Sequence, residues 1–256
     1  MRWDPLFQVL RRTVIRAGST IGGLGAFLVA GIVIAATGTI LFGKFAQTVM
    51  QGSTQSFDEA VLRWMARQHT PVMDAFMLEI TSLGTGMVVL TIVGIAALFL
   101  ALTRHKYSAL LLLVATGGGL VLNSALKSFF DRPRPQVFDW GTHAATSSFP
   151  SGHAMSAAIV YSTVAYLAAR LHKQVWARWI TLVVAAVIIV LICASRMYLG
   201  VHYPSDVIAG ATIGLAWAAF CMATLEAVQR YSQRGAPEIQ ADEKPAPEAG
   251  ARSAET

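Results

Sequence analysis

The sequence predicts an all-α polytopic membrane protein, a bundle of six transmembrane helices with amphipathic helices on its outer surface. Three observations lead there. Of 256 residues, 55% are hydrophobic and only 13% charged, whereas soluble domains carry about a quarter charged residues. A hydrocarbon core about 30 Å thick needs roughly 20 apolar residues as helix. Six stretches approach or reach that length: 21–42, 86–102, 108–126, 154–169, 179–194 and 207–227. The second, fourth and fifth are short, and the fourth and fifth are expected to extend beyond these limits. Finally, basic residues alternate between sides, and in short loops they are retained on the cytoplasmic side. An internal amino terminus places Arg11, Arg12, Arg16, Arg104, Lys106, Arg170, Lys173 and Arg178 inside. Both termini are then cytoplasmic.

Residues 4–17 suit a helix on the inner membrane surface. Asp4 can cap it, Pro5 fits its first position, and Leu6, Leu10 and Val14 recur on one side opposite arginines. A plain charged lead-in is the alternative. Residues 1–20 are thus a cytoplasmic interfacial segment. The run 21–42 exceeds the 7–15 residues of a signal-peptide core and begins too far from Met1, so it is read as an uncleaved span.

In the outer segment 43–85, Phe57, Val61, Trp64 and Met65 repeat at helical spacing, with Asp58, Glu59, Arg63 and Arg67 between them. Pro71 starts a second helix carrying Met73, Phe76, Met77 and Ile80. The pair either rests on the outer leaflet or packs its apolar faces on the bundle. His69, in the turn between, reads as solvent-exposed. Gly84, Gly86 and Gly117-Gly118-Gly119 permit close helix contact, and Asn123 and Ser124 suit bonds between helices. Cys193 and Cys221 read as apolar fillers without disulfide or metal spacing. Residues 231–256 turn to Ala, Pro, Glu and Gly without apolar period, a disordered cytoplasmic tail. The net charge of +6 belongs to topology anchors and anion ligands, so no nucleic-acid partner is expected.

Three polar clusters sit at the outer ends of the oily segments, where ionisable groups usually mark function. In the first, Lys127 ends the third span and Arg134 follows between Pro133 and Pro135. Two cations around one anion suit phosphate, because the guanidinium donates two parallel hydrogen bonds. Headgroup anchoring is the competing reading. In the second, Pro150-Ser151-Gly152-His153 precedes the fourth span. Ser151 and Gly152 then occupy a helix amino terminus, whose unpaired N–H groups and dipole favour an anion. An ordinary cap is the alternative. In the third, Ser195-Arg196 is followed by His202 and by Asp206 four residues later. Asp206 can reach back to one imidazole nitrogen, fix its tautomer and leave the other free to attack. A plain helix-start residue is the alternative.

The pattern Lys127-x6-Arg134-Pro135, Pro150-Ser151-Gly152-His153 and Ser195-Arg196-x5-His202-x3-Asp206 resembles the three-part signature of the type 2 phosphatidic acid phosphatase superfamily. All eleven specified positions are present in order. The resemblance implies a six-span membrane phosphatase domain over 21–230 with its site outside. It also implies roles: His202 as nucleophile forming a phosphohistidine, Asp206 orienting it, and His153 as general acid. Lys127, Arg134, Ser151, Gly152 and Arg196 would hold the phosphate, with no metal and no cofactor. Arg132, Asp131, Asp139 and His143 stay unassigned.

The expectation is an enzyme of a bacterial cytoplasmic membrane that hydrolyses a lipid phosphate or diphosphate at the outer face. Undecaprenyl diphosphate is favoured, ahead of phosphatidylglycerophosphate and phosphatidic acid. Removal or transfer of a lipid A phosphate is the second enzymatic reading. A lipid or ion transporter is the third reading, disfavoured because the spans lack internal charges. Oligomeric state is not legible in the sequence.

Overall fold

The computed structural model describes residues 28–136 and 146–234, with side chains through residue 229. The expected interfacial segment 1–20 lies outside the described residues, and so does the expected disordered tail from residue 235 on; its first four residues, 231–234, are instead helical and continue the last helix. Among the described residues, all regular structure is helical. The helices are α1 (Leu28–Met50), α2 (Gln55–Ala66), α3 (Pro71–Ser82), α4 (Gly86–Leu102), α5 (Lys106–Phe129), α6 (Gly152–Leu171), α7 (Val175–Tyr198) and α8 (Pro204–Arg234).

Of the described helices, α1, α5, α6, α7 and α8 are each long and apolar enough to cross a membrane. At 17 residues α4 falls short alone. It follows α3 after a 48° bend, and the pair together supplies the sixth candidate. As expected, α6 and α7 extend beyond the apolar limits 154–169 and 179–194. The first span, by contrast, does not stop at residue 42. Its apolar stripe continues through Phe42, Ala46 and Val49, all buried, so the helix carries on past Gly43 to Met50 and shortens the outer segment.

At the centre lies α6, packed against α8, α7 and α5. In its apolar window 56% of residues are buried, against 17% for α7. Alanines 154, 157, 158 and 165 form much of that buried face, and small residues let helices approach where hydrophobic expulsion from water is absent. On α8, Gly210 and Gly214 face the start of α6. A Cβ on Gly210 would stand 2.5 Å from the Ser151 carbonyl oxygen, and one on Gly214 2.8 Å from that of Met155. Of the glycines singled out in the sequence, Gly84, Gly118 and Gly119 do touch neighbours closely. Gly86 and Gly117 have open space where a Cβ would sit, so they serve no helix contact.

Both outer helices pack on the bundle, α2 on α7 and α8 and α3 on α7, but α2 does so with the face opposite its aromatic stripe. Phe57 is 59% exposed and Trp64 51%, while Asp58 and Leu62 on the opposite face are at 0%. The aromatic stripe of α2 thus points outward, as resting on a bilayer interface demands, and the bundle side carries a carboxylate. His69 is also half-buried rather than solvent-exposed. Its ring lies 4.0 Å from that of Tyr198, and its Nδ1 is 2.7 Å from Asp74 Oδ1. Tyr198 OH donates to the same Asp74 oxygen at 2.6 Å, docking the α2–α3 turn on α7.

Candidate active site

The three clusters meet at one end of the bundle, where α5 and α7 finish and α6 and α8 begin. Lys127 lies in the last turn of α5. Its Nζ is 3.4 Å from both Thr146 Oγ1 and the Ser147 carbonyl oxygen. Residues 131–136 form no helix, in keeping with prolines at 133 and 135. There Arg134 donates from Nε to the Thr146 carbonyl at 3.0 Å and from Nη1 to that of Val201 at 2.9 Å. Half-burial lowers its pKa from the usual guanidinium value, and Asp206 opposes the shift.

Ser151 is the amino-terminal cap residue of α6, and Gly152 and His153 are its first two residues. The turn is anchored by the Ser151 N–H, which donates to the Asp206 carbonyl at 3.0 Å. Ser151 Oγ is buried without a hydrogen-bond partner, and so is Arg196 Nε. Buried polar atoms are normally paired; both of these are donors, and an anion bound here would pair them. Arg196, in the last turn of α7, is steadied by donating from Nη1 to Thr81 Oγ1 at 2.7 Å. Arg196, His202, Lys127 and Arg134 all lie close enough to His153 for their charges to act on it.

His202 sits in the α7–α8 turn, only 2% exposed. Burial pushes its imidazole down to about 4, with Asp206 opposing, so the ring is neutral at pH 7. Its Nδ1 is 3.7 Å from Asp206 Oδ2 and 3.5 Å from Ser148 Oγ. The expected direct bond from Asp206 to the imidazole is therefore not made. Instead Ser148 Oγ donates to Asp206 Oδ2 at 2.5 Å, and the Tyr203 N–H donates to the same oxygen at 2.9 Å. The carboxylate is filled by these donors and stands just beyond hydrogen-bond range of the ring.

Asp206 has a further partner that the sequence left unassigned. Arg132, its side chain 7% exposed, spans two fully buried carboxylates, Asp206 Oδ1 at 2.5 Å and Asp58 Oδ2 at 2.9 Å. Ser205 joins them, with its N–H on Asp58 Oδ1 at 3.0 Å and its Oγ accepting from Arg132 at 2.8 Å. The guanidinium also lies 4.2 Å over the Tyr203 ring. Asp58, Arg132 and Ser148 thus form a buried frame behind His202. The signal for Asp58 was its place on the Asp58–Leu62 stripe, one turn apart, rather than among the polar positions of α2.

A sequence profile described as the PAP2 superfamily matches residues 108–230. Phosphatidylglycerophosphatase B of Bacillus subtilis is 32% identical over 201 residues, covering 76% of this chain and 96% of that protein. The chain belongs to the PAP2 superfamily. An undecaprenyl-diphosphatase of Sulfolobus acidocaldarius is 32% identical over 139 residues, covering 52% of this chain and 63% of its relative. Among solved structures, the transmembrane PAP2-type phosphatidylglycerolphosphate phosphatase of Bacillus subtilis superposes with a TM-score of 0.72 at 31% identity. It covers 77% of this chain and 98% of that one. Aquifex aeolicus LpxE gives a TM-score of 0.52 at 26% identity, with 65% and 94% covered. This PAP2 protein is a multi-pass membrane phosphatase with the all-helical fold of its relatives.

Gly84 provides a test of how tightly the site is set. A Cβ there would lie 3.0 Å from His153 Cδ2 and 2.8 Å from Ile192 Cγ2. Gly84→Ala should displace the His153 ring and lower kcat by about tenfold to a hundredfold, since displacements of this order carry such costs. KM should change little. Steady-state kinetics on a lipid phosphate checks this, and an unchanged kcat would show that the ring position is not limiting.

Proposed function

We propose that this PAP2 protein hydrolyses a lipid phosphate or diphosphate through a covalent phosphohistidine, without a metal, at the outer face of a bacterial cytoplasmic membrane. One observation carries the reading: a buried neutral imidazole beside converging cations and the two orphaned polar atoms, Ser151 Oγ and Arg196 Nε. With Nδ1 turned to Ser148 and Asp206, the Nε2 lone pair of His202 faces phosphorus. Attack forms the N–P bond and breaks the P–O bond to the lipid, while His153, protonated once the bound phosphate's negative charge offsets the cations around it, passes its proton to the departing oxygen. His153, now neutral, takes a proton from water, whose oxygen attacks phosphorus and breaks the N–P bond. Phosphate leaves and both rings regain their starting states.

Lys127, Arg134 and Arg196, with Ser151 and the Gly152 end of α6, would stabilise the equatorial oxygens, where most of the catalysis of phosphoryl transfer is done. Cations of this kind take the part that metal ions play elsewhere. Among the described residues no three His, Cys, Asp or Glu side chains are grouped to hold a metal. The outward orientation rests on Arg104, Lys106, Arg170 and Arg178, all at the opposite helix ends.

Within the class, the outward site favours undecaprenyl diphosphate, supported by the relative named for that activity. Phosphatidylglycerophosphate is the second reading, favoured by the Bacillus subtilis relative matched over nearly its whole length. The test is phosphate release from a panel of both lipids, phosphatidic acid and lipid A, with and without chelator. Release that survives chelation and stops with vanadate is expected; release abolished by chelator would overturn the metal-free mechanism.

The low pKa of His202 sets the acid limb of activity. The nucleophile is lost only when the ring takes a proton, so kcat/KM should hold as pH falls through 6.5 and drop near pH 4. An unburied histidine would lose activity around 6.5. A kcat/KM profile from pH 3.5 to 9, with folding followed by circular dichroism, separates the two.

A further inference from the structure

The bundle end opposite the catalytic cluster carries a second polar recess. About 360 Å³ in volume, it is lined by Arg104, His105, Lys106, Tyr107, Arg170 and Gln229. It must be the opposite end, because α5 begins here and carries Lys127 in its last turn, whereas α6 ends here and carries His153 in its first. A second cavity of about 200 Å³ runs between α5 and α8, lined by Leu110, Val114, Trp217, Phe220 and Leu225 among others. Tyr107 lines both, so the basic recess and the apolar groove are neighbours that share one side chain.

The charges in the recess are not balanced from within. Arg170 is taken up by Glu226 at 2.9 Å and by Gln229 at 2.8 Å. Among the described residues neither Arg104 nor Lys106 has an ion pair, and Lys106 Nζ lies 5.4 Å over the Tyr107 ring. Arg104 also holds a φ of 66°, in the left-handed region that a glycine would fill without steric cost. His105 turns its Nδ1 to Thr103 Oγ1 at 3.1 Å, and α5 starts without a side-chain cap. Two unbalanced cations thus lie beside an uncapped helix start, next to an apolar groove that begins at Tyr107.

We propose that this end of the bundle is a second, non-catalytic lipid site for an anionic phospholipid. The headgroup phosphate sits between Arg104 and Lys106, and one acyl chain lies along the α5–α8 groove. Basic pockets between membrane helices take such headgroups. A free anion would leave the groove unfilled. The chain's own first twenty residues are a poor occupant, because they bring Arg2, Arg11, Arg12 and Arg16 against a single acid, Asp4.

The experiment titrates the full-length protein in neutral detergent with phosphatidylglycerol, phosphatidylcholine and glycerol 1-phosphate, counting bound molecules by native mass spectrometry. Phosphatidylglycerol should bind at least about fivefold more tightly than phosphatidylcholine, as two added favourable charges near a membrane surface imply. The double variant Arg104→Gly/Lys106→Gln should abolish that preference, and the charge-keeping Arg104→Lys/Lys106→Arg should retain it. Equal binding of the two lipids to the unaltered protein would overturn the proposal. So would a preference that survives Arg104→Gly/Lys106→Gln but vanishes in Arg134→Gln, which would put the lipid at the catalytic cluster. Glycerol 1-phosphate binding as tightly as phosphatidylglycerol would also overturn it, leaving a site for free anions.

Discussion

Replacing His202 with alanine should reduce phosphate release on the order of 10⁴-fold or more, because removing the attacking group leaves only binding and charge stabilisation. The loss should be the same for every leaving group, since no nitrogen remains to accept the phosphoryl group. His153→Ala should behave differently. A general acid contributes typically about 10²–10⁴-fold, and its share shrinks when the departing oxygen is already a good leaving group. With p-nitrophenyl phosphate the His153 variant should still form the phosphoenzyme but stall there, because no base remains to activate water. Rapid-quench detection of acid-labile phosphohistidine separates the cases: none for His202→Ala, accumulation for His153→Ala. Equal loss on both substrate types with no intermediate in either variant would contradict the division of roles between the two rings.

The spans and the meeting of the three clusters were legible because each rests on a local signal. Apolar run length reports bilayer thickness, and motif spacing places Lys127, Ser151, Arg196 and His202 at helix ends on one side. The orientation of α2 was not legible. Hydrophobic periodicity identifies an apolar face but does not say whether protein or lipid will cover it. Phe57 and Trp64 took the exposed side, so the polar-looking position 58 went inward. Burying Asp58 is tolerable only with a cation, and that cation comes from Arg132, 74 residues away in sequence. No local pattern announces such a pairing. The reach of Asp206 was half legible: spacing brought it beside His202, but Ser148, whose loop the motif does not specify, took up the oxygen nearest the ring. Gly210 and Gly214 escaped notice because their reason lies in α6, whose Ser151 and Met155 carbonyls they admit.

The frame behind His202 leads to the second large effect. In Arg132→Met, Asp58 and Asp206 are left as two buried carboxylates without their shared cation. Breaking a buried ion pair by removing one partner costs about 3–5 kcal/mol, so the variant should unfold at markedly lower denaturant or temperature. Activity should fall as well, because Asp206 loses the guanidinium that holds Oδ1 and becomes free to turn away from His202. Arg132→Lys should rescue little, since two separate nitrogens of the guanidinium reach the two carboxylates and one ammonium cannot reproduce that fork. The double variant Arg132→Met/Asp58→Asn separates stability from chemistry. Neutralising Asp58 removes one of the two unpaired charges, so much of the stability should return. Asp206 still lacks its anchor, so kcat should stay low while KM, which the proposed mechanism assigns to Lys127, Arg134 and Arg196, changes little. Unfolding in detergent and steady-state kinetics on the same preparations read both quantities. If kcat recovered in step with stability, Arg132 would be a structural cation only, and the positioning of Asp206 would have to come from Ser148 and the Tyr203 N–H alone.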